Sequence, residues 1–368
     1  MKIRILLSAL LSLMFISLSA QKNKTAATPR PSEEGLKFST VVELKSTPVK
    51  NQSNTGTCWC FATTSFIESE LIRMGKEEYD LSEMFIVRYN YIDRLKDNYL
   101  RQGKGNLGEG SQAHDWMIEF ARNGIVPNEV YPGLNYGSAT HNHSELNAFL
   151  NAVNTVPLQS RYESEQYNAI VNAILDTYFG KIPETFTYRG ANYTPKSFAA
   201  SLGINPADYV EITSFTHFPF YTQGVLEVPD NWRMAEFYNV PIDELIEIID
   251  YSMNNGYTVN WDGDTSEKGF THSKGVANVP EATVTQEKRQ KGYENFTTTD
   301  DHAMHLTGIV KDQNGVKYYI TKNSYGTVSN PYGGYLNMSE NYVRAKTVFI
   351  MVHKNAIPPE IKTKLGIR

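Results

Sequence analysis

The spacing of the apolar residues changes character once along the chain, and that change limits the folds open to it. After a short strand and loop at Thr40–Gln52 (TVVELKSTPVKNQ), the strongest segments repeat apolar residues at helical spacing. Cys58–Met74 carries Trp59, Ala62, Phe66, Leu71 and Met74 in this way, and Gly75 stands where such a helix ends. LSEMFIVRYNYIDRL (81–95) gives a second amphipathic helix with Ser82 as its N-cap. SQAHDWMIEFARNGIVP (111–127) gives a third, closed by Gly124 and Pro127. The middle of the chain, about 141–250, is mixed, with helical stretches at 144–154, 164–179 and 241–255. Beyond Met304 the period becomes two. HLTGIVKDQNGVKYYITKNS reads as two alternating runs around Gln313-Asn314-Gly315, a hairpin signal, and GGYLNMS and KTVFIMVH add two strands. Helices in front and an antiparallel sheet behind make an α+β plan with two lobes.

The first residues carry a different message. Lys2 and Arg4 precede an apolar run, Ile5–Leu18, which the small Ser19 and Ala20 follow. That order is read as a secretory signal peptide over residues 1–20, which places the mature chain outside the cytoplasm, secreted or periplasmic. Residues 21–36 are polar, with two prolines, and are expected to be a flexible leader. No later run of about 18 apolar residues occurs, so no membrane partner is expected once the signal is removed. Without Lys2 and Arg4, 33 basic side chains against 40 acidic ones leave a net charge of −7. Such acidity argues against a nucleic-acid surface.

The 368 residues hold two cysteines, Cys58 and Cys60, in QSNTGTCWCF. A bridge between residues so close closes a strained ring. A zinc site needs partners at metal-ligand spacing, and no second Cys pair or Cys/His pattern supplies them. By elimination at least one thiol is free. Cys58 sits where a loop enters a helix, and the positive end of the helix is expected to favour its thiolate. A thiol nucleophile needs a base, and the base needs an orienting group. His302, just before a strand, and Asn323, at the end of the next, fit those parts, because adjacent antiparallel strands bring such side chains together. Gln52 and the Cys58 N–H fit an oxyanion hole.

These residues carry a resemblance. QSNTGTCWCF is similar to the Gln-x5-Cys-Trp-x-Phe segment of papain-like cysteine peptidases, and DHAM, GIV, KNSYG and GGYL resemble their His and Asn segments in order. Within that group the chain most resembles the bleomycin hydrolase / aminopeptidase C family, to which FGKIPETFTYRGANYTPKSFAASLG (179–203) is also similar. The resemblance implies a papain-like fold over residues 37–362, with a helical lobe carrying the Cys, a β lobe carrying His and Asn, and a family-type insert at about 141–240. Residues 363–368 are left as a tail. It implies Cys58, His302, Asn323 and Gln52 as catalytic residues, with Trp59, Gly108, Gly110 and Ala303 at the substrate. It further implies peptide substrates, no cofactor, no metal, and a hexameric assembly.

Three departures stand out. Tyr325 replaces the tryptophan of the Asn-Ser-Trp-Gly motif and is expected to shield the Asn–His bond less well. Thr55 stands where papain-like enzymes often have a disulfide cysteine. The family's C-terminal arm carries its carboxylate to the substrate's amine, whereas this sequence stops earlier, at PPEIKTKLGIR. An aminopeptidase is therefore expected, with an endopeptidase or a silent binding protein on the same fold as the alternatives. Cys60 and His305 are read as core residues. Asp262 and Asp264 in NWDGD are read as a turn rather than a calcium loop, and His141 and His143 as a solvated loop.

Overall fold

The computed structural model describes residues 35–368. The expected signal segment, 1–20, and the expected leader as far as residue 34 lie outside the described residues. Helix α1 (Cys58–Arg73) occupies the centre of the molecule, and every residue from Trp59 to Leu71 is buried. A helix covered on all sides must satisfy its polar groups internally. Thr64 accepts the indole N–H of Trp116, Ser65 bonds His305, and Glu68 pairs with Lys50. The polar residues that interrupt the apolar spacing of α1 thus point to partners in both lobes.

Helices α2 (Glu83–Leu100), α3 (Ala113–Asn123), α4 (Ser144–Ser160), α5 (Glu165–Phe179) and α6 (Pro195–Leu202) build the helical lobe around α1. The N-cap expected at Ser82 forms, its hydroxyl accepting the Phe85 N–H at 3.1 Å. Strand β1 (Ser39–Glu43) precedes this lobe, and a small hairpin, β2 (Phe186–Tyr188) and β3 (Ala191–Tyr193), lies within it. Further on come β4 (Tyr209–Thr213), β5 (Gln223–Val225), β6 (Glu236–Asn239) and α7 (Ile242–Asn254). Then follow β7 (Val259–Gly263), β8 (Phe270–Thr271), β9 (Val276–Ala277), α8 (Gln286–Glu294) and β10 (His302–Lys311). The chain continues through β11 (Lys317–Lys322), β12 (Tyr335–Ser339), α9 (Glu340–Lys346), β13 (Thr347–His353) and α10 (Pro359–Lys364).

The strands form one sheet in the order β5-β6-β4-β13-β7-β10-β11-β12-β9-β8, with β1 also paired to β10. The pairs β4–β6 and β9–β12 are parallel and the rest antiparallel. The stretch expected as the insert, about 141–240, combines helices and strands. Its first part packs on α2, where Asn154 donates to the Leu95 carbonyl, and its last part adds β4–β6 to the sheet beside β13.

Alternation along the central strands sorts residues between two faces. On β10, Ala303 and His305 face α1, whereas Met304 and Leu306 join the cluster with α7. On β7, Asn260 donates to Thr63 of α1, while Val259 and Trp261 face α7. Residues 359–368 belong to the α7 face. Ile361 and Leu365 are buried there, Ile367 packs against them, and Lys364 pairs with Glu244 at 2.7 Å. This stretch therefore lies across the sheet from Cys58.

Candidate active site

Cys58 is the first residue of α1 and half-buried, and both cysteines are free thiols. The loop before it is tied down residue by residue. The Gln52 Nε2 donates to the Thr55 carbonyl at 2.8 Å, and its Oε1 accepts the Ser324 hydroxyl at 2.6 Å. An amide nitrogen carries two hydrogens, so one Gln52 N–H remains for another acceptor. The Gly56 N–H donates to Glu109 Oε2 at 2.7 Å. A Cβ on Gly56 would stand 2.8 Å from the Glu109 Cβ, so glycine permits the loop at 105–110 to close on the start of α1.

His302 opens β10 and Asn323 directly follows β11. His302 Nε2 lies 2.7 Å from Asn323 Oδ1. Asn323 Oδ1 also accepts the Ser324 backbone N–H at 2.7 Å, which fixes the amide's orientation. The proton therefore sits on His302 Nε2, and Nδ1 keeps a free lone pair. Asn323 Nδ2 faces His272 Nδ1 at 3.4 Å, and His272 Nε2 donates in turn to the Ser329 hydroxyl at 2.9 Å. The Cys58 thiol bonds the backbone of Ala303, the residue after His302. Helix start and strand start thus meet at the cleft between the lobes. Tyr325 lies over His302 with ring centroids 4.9 Å apart and is itself 37% exposed, a partial cover in place of the expected indole.

Electrostatics differ from the expectation of a helix-stabilised thiolate. Burial pushes the Cys58 thiol up to about 12, opposed by the Ala303 bond and reinforced by the carboxylates of Asp300 and Asp230. Burial also drives His302 down to about 4, against the Asn323 bond, which favours the charged ring. Burial thus favours the neutral thiol and the neutral imidazole, opposing the helix end. Asp262 is 3% exposed, and its carboxyl is raised well above its usual value by burial and then by Asp300.

The structure corrects other expectations. Trp59 does not face substrate. It is 1% exposed, and its indole N–H donates to the Glu109 carbonyl at 3.1 Å, holding the 105–110 loop. On that loop Gly108 is exposed, and Gly110 lies against the Asp230 carboxylate. Ala303 is buried and reaches the site through its backbone. Asp262 lies in strand β7 rather than a turn, opposite Ala303 of β10. His143 is fully buried, bonded to the Tyr91 hydroxyl at 2.9 Å, not solvated. Cys60 and His305 are core residues, the Cys60 thiol donating to the Glu83 carbonyl at 3.3 Å. Among the described residues no group of three or more His, Cys, Asp or Glu side chains is placed to hold a metal ion. The sequence reading passed over His272, Asp230 and Asp300. Only Asp300 had a local signal, its place two residues before His302.

Comparison with known proteins identifies the family. The model of the Peptidase C1-like family matches residues 106–366. The mitochondrial cysteine proteinase 1 of Saccharomyces cerevisiae (strain JAY291) is 21% identical over 387 residues, covering 89% of this chain and 79% of that protein. Aminopeptidase C of Lactococcus lactis subsp. lactis (strain IL1403) is 23% identical over 373 residues, covering 87% of this chain and 83% of that protein. The crystal structure of PepW from Lactobacillus rhamnosis HN001 superposes with a TM-score of 0.70 at 19% identity, covering 89% of this chain and 84% of PepW, and so shares the fold. With most of its length matched by that family model, the chain belongs to the Peptidase C1-like family and is a cysteine-type hydrolase.

Proposed function

We propose that the protein is an exported aminopeptidase that uses Cys58, His302, Asn323 and Gln52. The observation that carries this reading is the 2.7 Å bond from His302 Nε2 to Asn323, which leaves Nδ1 free to act as a base, while the Cys58 thiol bonds the backbone of the next residue, Ala303. As Sγ bonds the peptide carbonyl carbon, its proton passes to His302 Nδ1. The C=O electron pair moves to oxygen, where two donors meet it: the Cys58 N–H, without a partner inside the helix, and the remaining Gln52 N–H. His302 then protonates the leaving amine and the C–N bond breaks, leaving a thioester. Water, giving a proton to His302, hydrolyses that thioester and restores the thiol. Burial favours the neutral forms of Cys58 and His302, so His302 takes the thiol proton as Sγ attacks.

The name of the aminopeptidase C relative supports amine-directed cleavage, and the pattern of residues 1–20 supports export. Residues 359–368 lie across the sheet from Cys58. The test is incubation of the reduced, purified protein with aminoacyl and N-acetylated fluorogenic peptides, together with labelling by iodoacetamide or E-64. Cleavage of free-amine substrates and labelling of Cys58 are expected. Absence of both refutes the peptidase reading, and cleavage of blocked peptides alone leaves an endopeptidase.

A further inference from the structure

Asn323 carries an amide with two ends, and only one of them can serve His302. Oδ1 accepts from His302 Nε2 and from the Ser324 N–H, both at 2.7 Å, so Nδ2 is the donor end. Turned over, the amide would set an N–H against His302 Nε2. The ring proton would then have to move to Nδ1, and the base would be lost. His272 opposes that turn from the donor end, its Nδ1 lying 3.4 Å from Asn323 Nδ2. A ring nitrogen facing a donor must be the acceptor, so the His272 proton is on Nε2, which donates to the Ser329 hydroxyl at 2.9 Å. That hydroxyl donates onward to the Gly326 carbonyl at 2.7 Å. From Asn323 through His272 and Ser329 to Gly326, every donor in the row meets an acceptor. Burial lowers the His272 pKa, which keeps the ring neutral at pH 7 and Nδ1 able to accept.

The fold holds this ring against Asn323 by the backbone as well. His272 stands in the tight turn between β8 and β9. Strand β9 pairs with β12, and β12 with β11, whose last residue precedes Asn323. The His272 carbonyl accepts Asn330 Nδ2 at 3.0 Å, and Asn330 Oδ1 accepts the Gly334 N–H at 3.0 Å. The Gly334 carbonyl in turn accepts the Asn323 N–H at 3.2 Å, so one loop ties the two residues together. The His272 ring also meets Tyr325 edge-on, with centroids 5.3 Å apart, and Tyr325 is the ring that lies over His302. His272 therefore supports both the amide that bonds the imidazole and the phenol that covers it.

We propose that His272 is a positioning residue of this hydrolase, which accepts the Asn323 amide N–H and so keeps Oδ1 on His302 and the imidazole proton on Nε2. The inference rests on the reading of His302 as the base. The role belongs to the acceptor at the δ position and not to the bulk of the ring, and two substitutions separate these. His272→Asn keeps an acceptor at about the place of Nδ1. His272→Gln carries its amide one bond further out, where it reaches Ser329 and leaves Asn323 Nδ2 without its acceptor.

The test reads the tautomer and the turnover separately. Long-range proton–nitrogen NMR spectra of the reduced, nitrogen-15-labelled protein at pH 7 report which ring nitrogen carries the proton, in wild type and in both variants. Steady-state hydrolysis of an aminoacyl fluorogenic peptide gives kcat and KM, and circular dichroism checks that both variants fold. In wild type both His272 and His302 are expected with the proton on Nε2. His272→Asn should keep that state of His302 and a kcat within about threefold of wild type, whereas His272→Gln should mix the His302 tautomers and lower kcat by about tenfold. KM should change by less than about twofold in either, because His272 acts through Asn323 and not on the substrate. A His272 proton on Nδ1 in wild type overturns the proposal. So does an unchanged His302 tautomer in His272→Gln, or an equal loss of kcat in the two variants, which would mark a merely structural ring. If wild type cleaves no peptide, the peptidase reading falls, and the tautomers of His302 in the two variants still decide the role of His272.

Discussion

Replacing Asn323 with alanine tests the centre of the proposed mechanism. In the intact site Asn323 Oδ1 accepts from both His302 Nε2 and the Ser324 N–H, and it is 2% exposed. Truncation leaves both donors without that acceptor in a place closed to bulk water. A buried donor left unpaired costs about 1–3 kcal/mol, and at about 1.4 kcal/mol per factor of ten this corresponds to a loss of roughly 5- to 150-fold in kcat/KM. The damage should fall on kcat more than KM, because the bond orients the base and touches no substrate. A second readout separates orientation from general loosening. The Asn323 bond favours the charged imidazole, so its removal must lower the His302 pKa further below its value of about 4. The assay is steady-state hydrolysis of an aminoacyl fluorogenic substrate, with the His302 ring proton followed by NMR from pH 3 to 7. If kcat/KM stays within about twofold, or the ring titrates at higher pH in the variant, the assigned tautomer and the role of Asn323 are wrong.

Other expectations follow from the same contacts. Cys58→Ala abolishes hydrolysis, whereas Cys60→Ser, which keeps a donor for the Glu83 carbonyl, retains most activity and loses about 1 kcal/mol in urea unfolding. Gln52→Ala removes one oxyanion donor and lowers kcat by about 100-fold, read at saturating substrate. The Asp262 carboxyl is raised in the folded state, so its contribution to stability is complete below the unfolded pKa and is lost as pH rises toward the folded one. Each pH unit over which the unfolded state alone is ionised costs about 1.4 kcal/mol, and Asp262→Asn abolishes that loss. Its melting temperature relative to wild type should therefore rise between pH 4 and pH 8. A constant difference across that range means Asp262 is not held protonated.

The parts of the site that were legible in the sequence are those whose geometry follows from neighbouring residues. The Gln52–Cys58 spacing lies within one loop and helix start. His302 and Asn323 come together because a hairpin fixes the register of two consecutive strands. What failed depended on chain brought in from elsewhere. Trp59 is covered by the loop at 105–110, and nothing in its own surroundings distinguishes an indole facing substrate from one roofed by a distant segment. NWDGD has the composition of a turn, yet pairing with β10 and β13 on either side makes Asp262 a central-strand residue. The desolvation of Cys58 was hidden for the same reason. Local sequence shows only the helix end, while burial between the lobes and the carboxylates of Asp230 and Asp300 oppose it. The reacting groups were readable because the chemistry needs a few side chains at short range on regular elements. The carboxylates of Asp230, Asp262 and Asp300 were not, because three segments far apart in sequence bring them toward Cys58 and none carries a pattern of its own.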